Sequence, residues 1–219
     1  NSEDFYLPFE EEAYAAGVYY NPEFDTNVIR YGYNSLTTPS SVIDFNVVDK
    51  TKEVKKEQEV LGGKFDKNNY KSERLWATSK DGTKIAISLV YKKSTKISKN
   101  TPLLLYGYGS YGITIDAGFS STRLSLLDRG FVFAIAHVRG GGFLGTEWYK
   151  AGKMLTKKNT FYDFIACAEY LINNNLNDSQ VILEKIRSNN KKNLPENLTS
   201  KELCDIFQEF GDISSIKLR

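Results

Sequence analysis

Residues 103–112 read LLLYGYGSYG, and residues 131–142 read FVFAIAHVRGGG. Each stretch is a short apolar run with a glycine loop after it, and such runs are typical of strands covered on both faces. A helix-like segment over residues 121–128 lies between them and ends before Gly130, and an apolar helix face follows over residues 160–172. The alternation of strand and helix predicts an α/β layer with parallel strands.

The chain before these strands has a different pattern, made of short strands and turns. Residues 27–33 are β-branched and aromatic, residues 41–48 alternate apolar and polar, and residues 53–60 return after a polar turn. Short strands at this spacing suit a β-sandwich or one blade of a β-propeller. A hairpin is predicted next, with strands over residues 75–78 and 83–91.

The rest of the chain consists of the apolar helix that begins near Thr160, an irregular stretch and a tail. Thr160 and Asp163 have the spacing of a capping box, which predicts a helix start there. After Ile172 the periodicity is lost, and residues 178–193 are predicted to be irregular. The tail regains a capping box at Thr199-x-x-Glu202 and an apolar helix face. We therefore expect three units, namely residues 1–68, 69–177 and 178–219.

The composition narrows the class of protein. A chain of 219 residues, 41% of them hydrophobic, can bury a core, and its net charge of +2 gives no electrostatic reason to expect nucleic acid or an anionic membrane as a partner. Cys167 and Cys204 have neither metal-site nor disulfide spacing, which suits a reducing compartment. The acidic start is unlike a signal peptide, and no apolar run is long enough to span a bilayer. We expect a cytoplasmic protein without metal or cofactor, whose true N-terminus lies upstream because the first residue is Asn.

Both glycine loops, residues 107–112 and 140–145, formally fit the dinucleotide-binding pattern G-x-G-x-x-G. That fingerprint also needs a helix directly after the loop and an acidic residue about twenty positions later. The second strand ends instead in His137, Val138 and Arg139. Tight glycine turns are the favoured interpretation, and dinucleotide binding is the alternative.

The sequence contains no complete catalytic triad. Ser110 does not lie in G-x-S-x-G, because the residue two positions before it is Tyr108. The only histidine, His137, comes too early for the hydrolase order of Ser, acid and His. We interpret His137 as a hydrogen-bonded structural residue. Glu10–Glu12 are interpreted as a solvated face rather than as a carboxylate pair for acid–base catalysis.

Several long motifs, taken together and in this order, resemble the prolyl oligopeptidase family. They are YGYGSYG at 106–112, RLSLLDRGF at 123–131, HVRGGG at 137–142, Trp148-Tyr149, Gly152-Lys153 and KNTF at 158–161. Three others point to the oligopeptidase B branch of that family, namely YNSLTTP at 33–39, YKSERLW at 70–76 and SLVY at 88–91. The resemblance extends from about residue 14 to residue 172.

The resemblance implies a fold and an activity. The fold is the last strands of a β-propeller, ending near Asn69, followed by the N-terminal half of an α/β-hydrolase domain, with an α+β tail. The activity is serine-type cleavage of short peptides, after Arg or Lys in the oligopeptidase B branch. Tyr108 would donate its hydroxyl to the oxyanion, a role that suits a pre-organised phenol. A tyrosine with a packing role only is the alternative.

Two departures from the family pattern bear on activity. Phe143 stands where the family usually has an acid after its glycine triplet. The next strand with its Gly-x-Ser-x-Gly elbow is expected after the helix that ends near Asn173, and the sequence offers neither these nor the later Asp and His. We therefore expect an inactive fragment of a serine peptidase. The alternative is a non-catalytic interaction or RNA-binding fusion protein.

The tail, from about residue 189, resembles the start of an RNA recognition motif. That domain binds bases with aromatic residues on its first and third strands. The first-strand positions here are Asn189, Asn190 and Lys191, none of them aromatic. Short peptides are therefore the expected partners, and nucleic acid is not.

Overall fold

The first four strands form one antiparallel sheet in sequence order. The computed structural model describes residues 4–174 and 181–183. The strands are β1 (Tyr14–Val18), β2 (Val28–Ser35), β3 (Ser41–Asn46) and β4 (Lys52–Glu57). The predicted meander is confirmed, and the turn between β2 and β3 is closed by a hydrogen bond from Ser35 N–H to Thr38 O at 3.1 Å. β2 extends two residues past its predicted end because this turn is tighter than the sequence pattern suggests.

The segment that precedes β1 packs onto this sheet. Tyr31, Ile43 and Phe45 form a buried cluster, and Leu7 and Phe9 pack against it from the segment. The four-stranded sheet therefore has one face covered by the chain's own N-terminal residues.

Glu11 contradicts the prediction of a solvated face for Glu10–Glu12. Its carboxylate is half-buried and accepts hydrogen bonds from Tyr33 Oη and Ser35 Oγ at 2.7 Å, from Thr38 Oγ1 at 3.0 Å and from Thr37 Oγ1. Burial raises the pKa of Glu11, but these hydrogen bonds outweigh it, so the pKa lies below its ordinary value. The acidic run gave no sign of this, because these four hydroxyls, and a fifth from Ser72 Oγ at 3.5 Å, meet the carboxylate only once the chain has folded.

The second sheet has five strands in the order β5-β6-β8-β7-β9. β5 and β6 form the predicted hairpin, β6 pairs with β8 in antiparallel fashion, and β7 is parallel to both β8 and β9. The bounds are β5 (Tyr70–Thr78), β6 (Lys84–Lys92), β7 (Leu103–Gly107), β8 (Val132–Ala136) and β9 (Val181–Leu183). The predicted parallel pairing of the two apolar runs is confirmed.

β9 contradicts the prediction that residues 178–193 are irregular and that no further strand follows the second apolar helix. Its three residues pair with Leu103, Leu104 and Leu105 of β7. The run Val-Ile-Leu is apolar and rich in β-branched residues, but it is too short to give a periodicity signal. The helix and strand predicted for residues 199–218 lie outside the described residues.

Helices cover both faces of the second sheet. On β8, Val132, Ala134 and Ala136 point towards the helix α3 (Lys158–Asn173), whereas Phe133 and Ile135 point towards α1 (Ser121–Leu127). The remaining helical segments are α2 (Thr146–Lys150) and two 3-10 turns, Lys67–Asn69 and Met154–Thr156. No helix among residues 4–174 is both long and apolar enough to cross a membrane.

The start of α3 differs from the predicted capping box. The helix begins at Lys158, and its N-cap residue Lys157 makes no side-chain capping bond. Thr160 Oγ1 donates instead to the carbonyl oxygens of Arg139 at 2.7 Å and Gly152 at 3.2 Å. The prediction fails because this threonine, like Asp163, binds the glycine loop beside α3 rather than the end of its own helix.

Candidate functional site

The two glycine loops lie side by side because β7 and β8 are parallel neighbours. Gly112 N–H donates to Gly140 O at 3.0 Å, and Gly142 N–H donates to Ile113 O at 3.4 Å. A Cβ added to Gly140 would lie 2.2 Å from Gly109 O, and Gly140 has a φ of +90°. Side chains are therefore excluded where the loops meet.

This packing does not support the dinucleotide alternative. The first loop ends at Gly112, and α1 does not begin until Ser121. The second loop leads into α2, a helix of only five residues. Because the loops donate to each other and neither opens a long helix, no pyrophosphate cradle is formed.

Tyr108 directly follows β7, at the carboxyl edge of the parallel strands. It is half-buried, and burial raises the pKa of its phenol above the ordinary value. Its hydroxyl makes no hydrogen bond to another residue in the described part of the chain. The phenol therefore stays protonated at neutral pH and has a proton to donate, as its predicted role requires.

The loop that carries Tyr108 is fixed by α3. A Cβ on Gly107 would lie 2.8 Å from the Phe164 ring, and one on Gly109 would lie 2.3 Å from Thr160 Cγ2. Lys157, which is 2% exposed, donates from Nζ to Gly109 O and to Ser110 Oγ. The sequence analysis missed Lys157 because it lies in a run of lysines at 157–158 that has the pattern of an exposed helix start.

Ser110 and His137 are both buried, and their side chains hydrogen-bond to different partners. Ser110 is 6% exposed and bonds to Lys157, whereas His137 Nε2 lies 2.6 Å from Ser88 Oγ. Burial, aided by the charge of Arg74, lowers the pKa of His137 to about 3, so the ring is neutral. His137 is thus a structural residue, as predicted.

An ion pair missed by the sequence analysis supports the second glycine loop. Asp163, 0% exposed, accepts from Arg139 Nη2 at 2.6 Å, Arg139 Nε at 2.8 Å, Arg139 N–H at 3.0 Å and Ser79 Oγ at 2.7 Å. Arg139 Nη1 also donates to Asp81 Oδ2 at 2.6 Å. The hydrogen bonds that Arg139 donates to Asp163 raise the pKa of Arg139 despite its burial. The one sign in the sequence was an aspartate on the apolar face of α3.

Phe143 lies between a histidine and an arginine. Its ring stacks on His137 with centroids 4.0 Å apart, and the Arg74 guanidinium carbon lies 5.0 Å from its centroid. Arg74 Nη1 is buried and has no hydrogen-bond partner. Burial lowers the pKa of Arg74, partly offset by Glu12. An aromatic ring thus takes the place beside this cation where an acceptor would satisfy it.

Comparisons with known proteins found two family profiles that match parts of the chain. Residues 117–183 match the profile of the prolyl oligopeptidase family, and residues 192–219 match that of the RNA recognition motif. The first match ends at the last residue of β9.

Two curated relatives match most of this chain and are much longer than it. Dipeptidyl aminopeptidase BI of Pseudoxanthomonas mexicana is 45% identical over 168 residues, which are 76% of this chain and 23% of that protein. Protease 2 of Moraxella lacunata is 40% identical over 169 residues, or 77% of this chain and 24% of that protein. The chain therefore spans about a quarter of the length of these curated relatives.

Two solved structures also match most of this chain with about a quarter of their own length. Oligopeptidase B from Trypanosoma brucei, in a closed form with covalently bound antipain, is 47% identical with a TM-score of 0.71, covering 80% of this chain and 25% of that one. Oligopeptidase B from Leishmania major is 44% identical with a TM-score of 0.70, at the same coverage.

Proposed function

We propose, since this chain carries a segment of the prolyl oligopeptidase family, that it derives from a cytoplasmic serine peptidase of the oligopeptidase B type. Such an enzyme would cleave short peptides after Lys or Arg. The sheet β1–β4 would be the last blade of its propeller, and β5–β9 the first half of its hydrolase sheet. The observation that carries the proposal is the strand order β5-β6-β8-β7-β9, which sets Tyr108 at the same edge as the carboxyl end of β9.

Tyr108 would stabilise the oxyanion of the tetrahedral intermediate. When a serine attacks the scissile carbonyl, negative charge develops on the carbonyl oxygen, and a fixed donor there is worth roughly 10²–10³ in kcat. Tyr108 suits this role because its phenol remains protonated and its loop is held by α3. In hydrolases of this fold the nucleophile lies on a strand-to-helix turn at the top of the sheet.

The 219 residues would not form an acyl-enzyme with a peptide by themselves. The residues after β9 read Glu184-Lys185-Ile186-Arg187-Ser188. They lack the two glycines of the Gly-x-Ser-x-Gly elbow that would present a nucleophilic serine. Ser110 is buried and bonded to Lys157. The first test is incubation with a fluorophosphonate probe, for which we expect no stoichiometric adduct. A stoichiometric adduct on any serine of the chain would refute this part of the proposal.

The second test asks whether Tyr108 is an oxyanion donor. The 169 residues of Protease 2 that match this chain would be replaced by the chain's own, and the chimera assayed on a short Arg-containing peptide. Tyr108→Phe should lower kcat roughly 10²-fold or more with little change in KM. Tyr106→Phe, two residues earlier on β7, is the matched control and should leave kcat within a few-fold. Equal effects of the two substitutions would remove the assigned role.

The unit boundaries remain predictions. The sequence predicts a propeller segment at residues 1–68, a hydrolase segment at 69–177 and a tail at 178–219. The pairing of β9 with β7 favours an end of the hydrolase segment at Leu183 rather than at 177. Limited proteolysis with mass spectrometry would locate the boundary, and cleavage between Asn177 and Val181 ahead of any other site would favour the earlier one.

An RNA-binding role is the second candidate, favoured by the match of residues 192–219 to the RNA recognition motif. Fluorescence anisotropy with a labelled single-stranded RNA tests it. Salt-sensitive binding that is lost on deleting residues 189–219 would support this role. Binding that survives the deletion, or none at all, would eliminate it.

A further inference from the structure

Lys157 is a buried amine in contact with the loop that carries Tyr108. Its Nζ donates to Gly109 O, on the residue after Tyr108, and to Ser110 Oγ at 2.9 Å. Only 2% of the residue is exposed, and it lies one position before α3. This lysine thus joins the start of α3 to the two residues that follow the proposed oxyanion donor.

We propose that Lys157 is a positioning residue, which holds the Tyr108 hydroxyl in place by fixing the Gly109 carbonyl and the Ser110 side chain. The inference rests on the proposed function of Tyr108. Lys157 acts through the loop and touches neither substrate nor reacting atoms.

The hydrogen bonds of Lys157 complete a clamp whose other contacts are steric. Phe164 and Thr160, both on α3, leave no room for a side chain at Gly107 and Gly109. These contacts limit how closely the loop approaches the helix, but they do not fix the direction of the Gly109 carbonyl. The Lys157 ammonium supplies that direction, because a buried carbonyl keeps to an available donor.

The cost of burying an amine indicates that its donors matter here. Burial lowers the pKa of Lys157 to about 8, so the charged form is less stable than it would be in water. A methionine would fill the same space without that cost. What the lysine adds is N–H groups for Gly109 O and Ser110 Oγ.

A Ser-Lys nucleophile is the competing interpretation of Ser110 and Lys157, and the geometry opposes it. Ser110 is 6% exposed, and the cavity that it lines together with Lys157 has a volume of only about 50 Å³, which is too small for a peptide carbonyl and its flanking groups. The nearby N–H groups of Gly112 and Ile113 already donate to Gly140 O at 3.0 Å and to Ser110 O at 3.1 Å. These two N–H groups are therefore not available to an oxyanion at Ser110.

The test uses the full 219-residue chain labelled with ¹³C at the tyrosine Cζ, with Tyr108 assigned through Tyr108→Phe. Lys157→Met removes the donors, and Lys158→Met, at an exposed neighbour, is the matched control. In Lys157→Met the Tyr108 pKa should fall towards that of a free tyrosine, and amide exchange over residues 107–113 should rise roughly tenfold or more. Lys158→Met should leave both unchanged. Equal behaviour of the two folded variants would overturn the proposal.

A measurement on the unsubstituted chain covers the case in which Lys157→Met does not fold. On titration from about pH 6 to about pH 10, the Tyr108 resonance should show a step near the pKa of Lys157, in addition to its own. Titration of Lys157 without that step would also overturn the proposal. Neither measurement requires activity. If the chimera shows that Tyr108 is not an oxyanion donor, the contact between Lys157 and the loop can still be judged.

Discussion

Substituting Asn for Asp163 would measure how strongly the second glycine loop is fastened to α3. Asp163 is fully buried and accepts four hydrogen bonds, three of them from Arg139. An asparagine of the same shape would leave the buried guanidinium with one carboxylate, Asp81, at the surface end of the pair. Removing one member of a buried ion pair typically costs about 3–5 kcal/mol.

Asp81 provides the matched control. Its carboxylate lies 2.6 Å from Nη1 of the same arginine, yet its side chain is 48% exposed. Solvent screens such a contact, so Asp81→Asn should lower the free energy of unfolding by about 1 kcal/mol or less. The two variants differ in burial and not in the chemistry of the substitution.

Urea denaturation followed by tryptophan fluorescence would report the difference. Trp148 is 9% exposed and its Nε1 donates to His137 O at 3.1 Å, beside the loop that Arg139 begins. We expect Asp163→Asn to shift the midpoint far more than Asp81→Asn, with similar m-values. If Asp163→Asn costs no more than Asp81→Asn, the ion pair does not fasten the loop and the reasoning is wrong.

Three further substitutions test other parts of the structure. Phe143→Glu should raise the free energy of unfolding by about 1–2 kcal/mol by giving Arg74 Nη1 an acceptor. Phe143→Leu should lower the free energy of unfolding, and thermal denaturation would measure both variants. Equal effects of the two substitutions would contradict the statement that Arg74 Nη1 lacks an acceptor. Glu11→Gln should be less stable than the unsubstituted chain at neutral pH. Because the folded-state pKa of Glu11 is lowered, this difference in stability should disappear as the pH falls below about 4. A difference independent of pH would refute this. Gly109→Ala should cost about 1–3 kcal/mol in urea denaturation, whereas Gly63→Ala, where nothing lies within 4 Å of the added Cβ, should cost little. A similar cost at both glycines would show that the loop is not tightly packed.

The elements that could be predicted are those whose signal is local. The runs at 103–107 and 132–136 are apolar and each leads to a glycine loop, so their pairing and burial could be predicted from the local sequence. The position of Tyr108 after β7 follows from the same pattern. The resemblance to a family then supplied its proposed role, which no spacing could have given.

The elements that could not be predicted depend on contacts distant in sequence. Thr160 and Asp163 have the spacing of a capping box, but both side chains bind the glycine loop some twenty residues earlier. Glu11 belongs to an acidic run, and only the folded chain reveals its five hydroxyl donors, which lie in β2, in the turn after it and in β5. β9 has too few residues for a periodic pattern, and its pairing with β7 alone identifies it.

The segment before β1 has a consequence for how the molecule comes apart. Phe9 packs on the core of the first sheet, Ala13 is buried in the α1 side of the second, and Glu12 accepts a hydrogen bond from Arg74 N–H of β5 at 3.0 Å. One short segment of the chain therefore contacts both sheets, which have separate cores. Release of this segment would destabilise both sheets. The two sheets should therefore unfold as one cooperative unit while the segment is bound, and as two separate units once it has been removed.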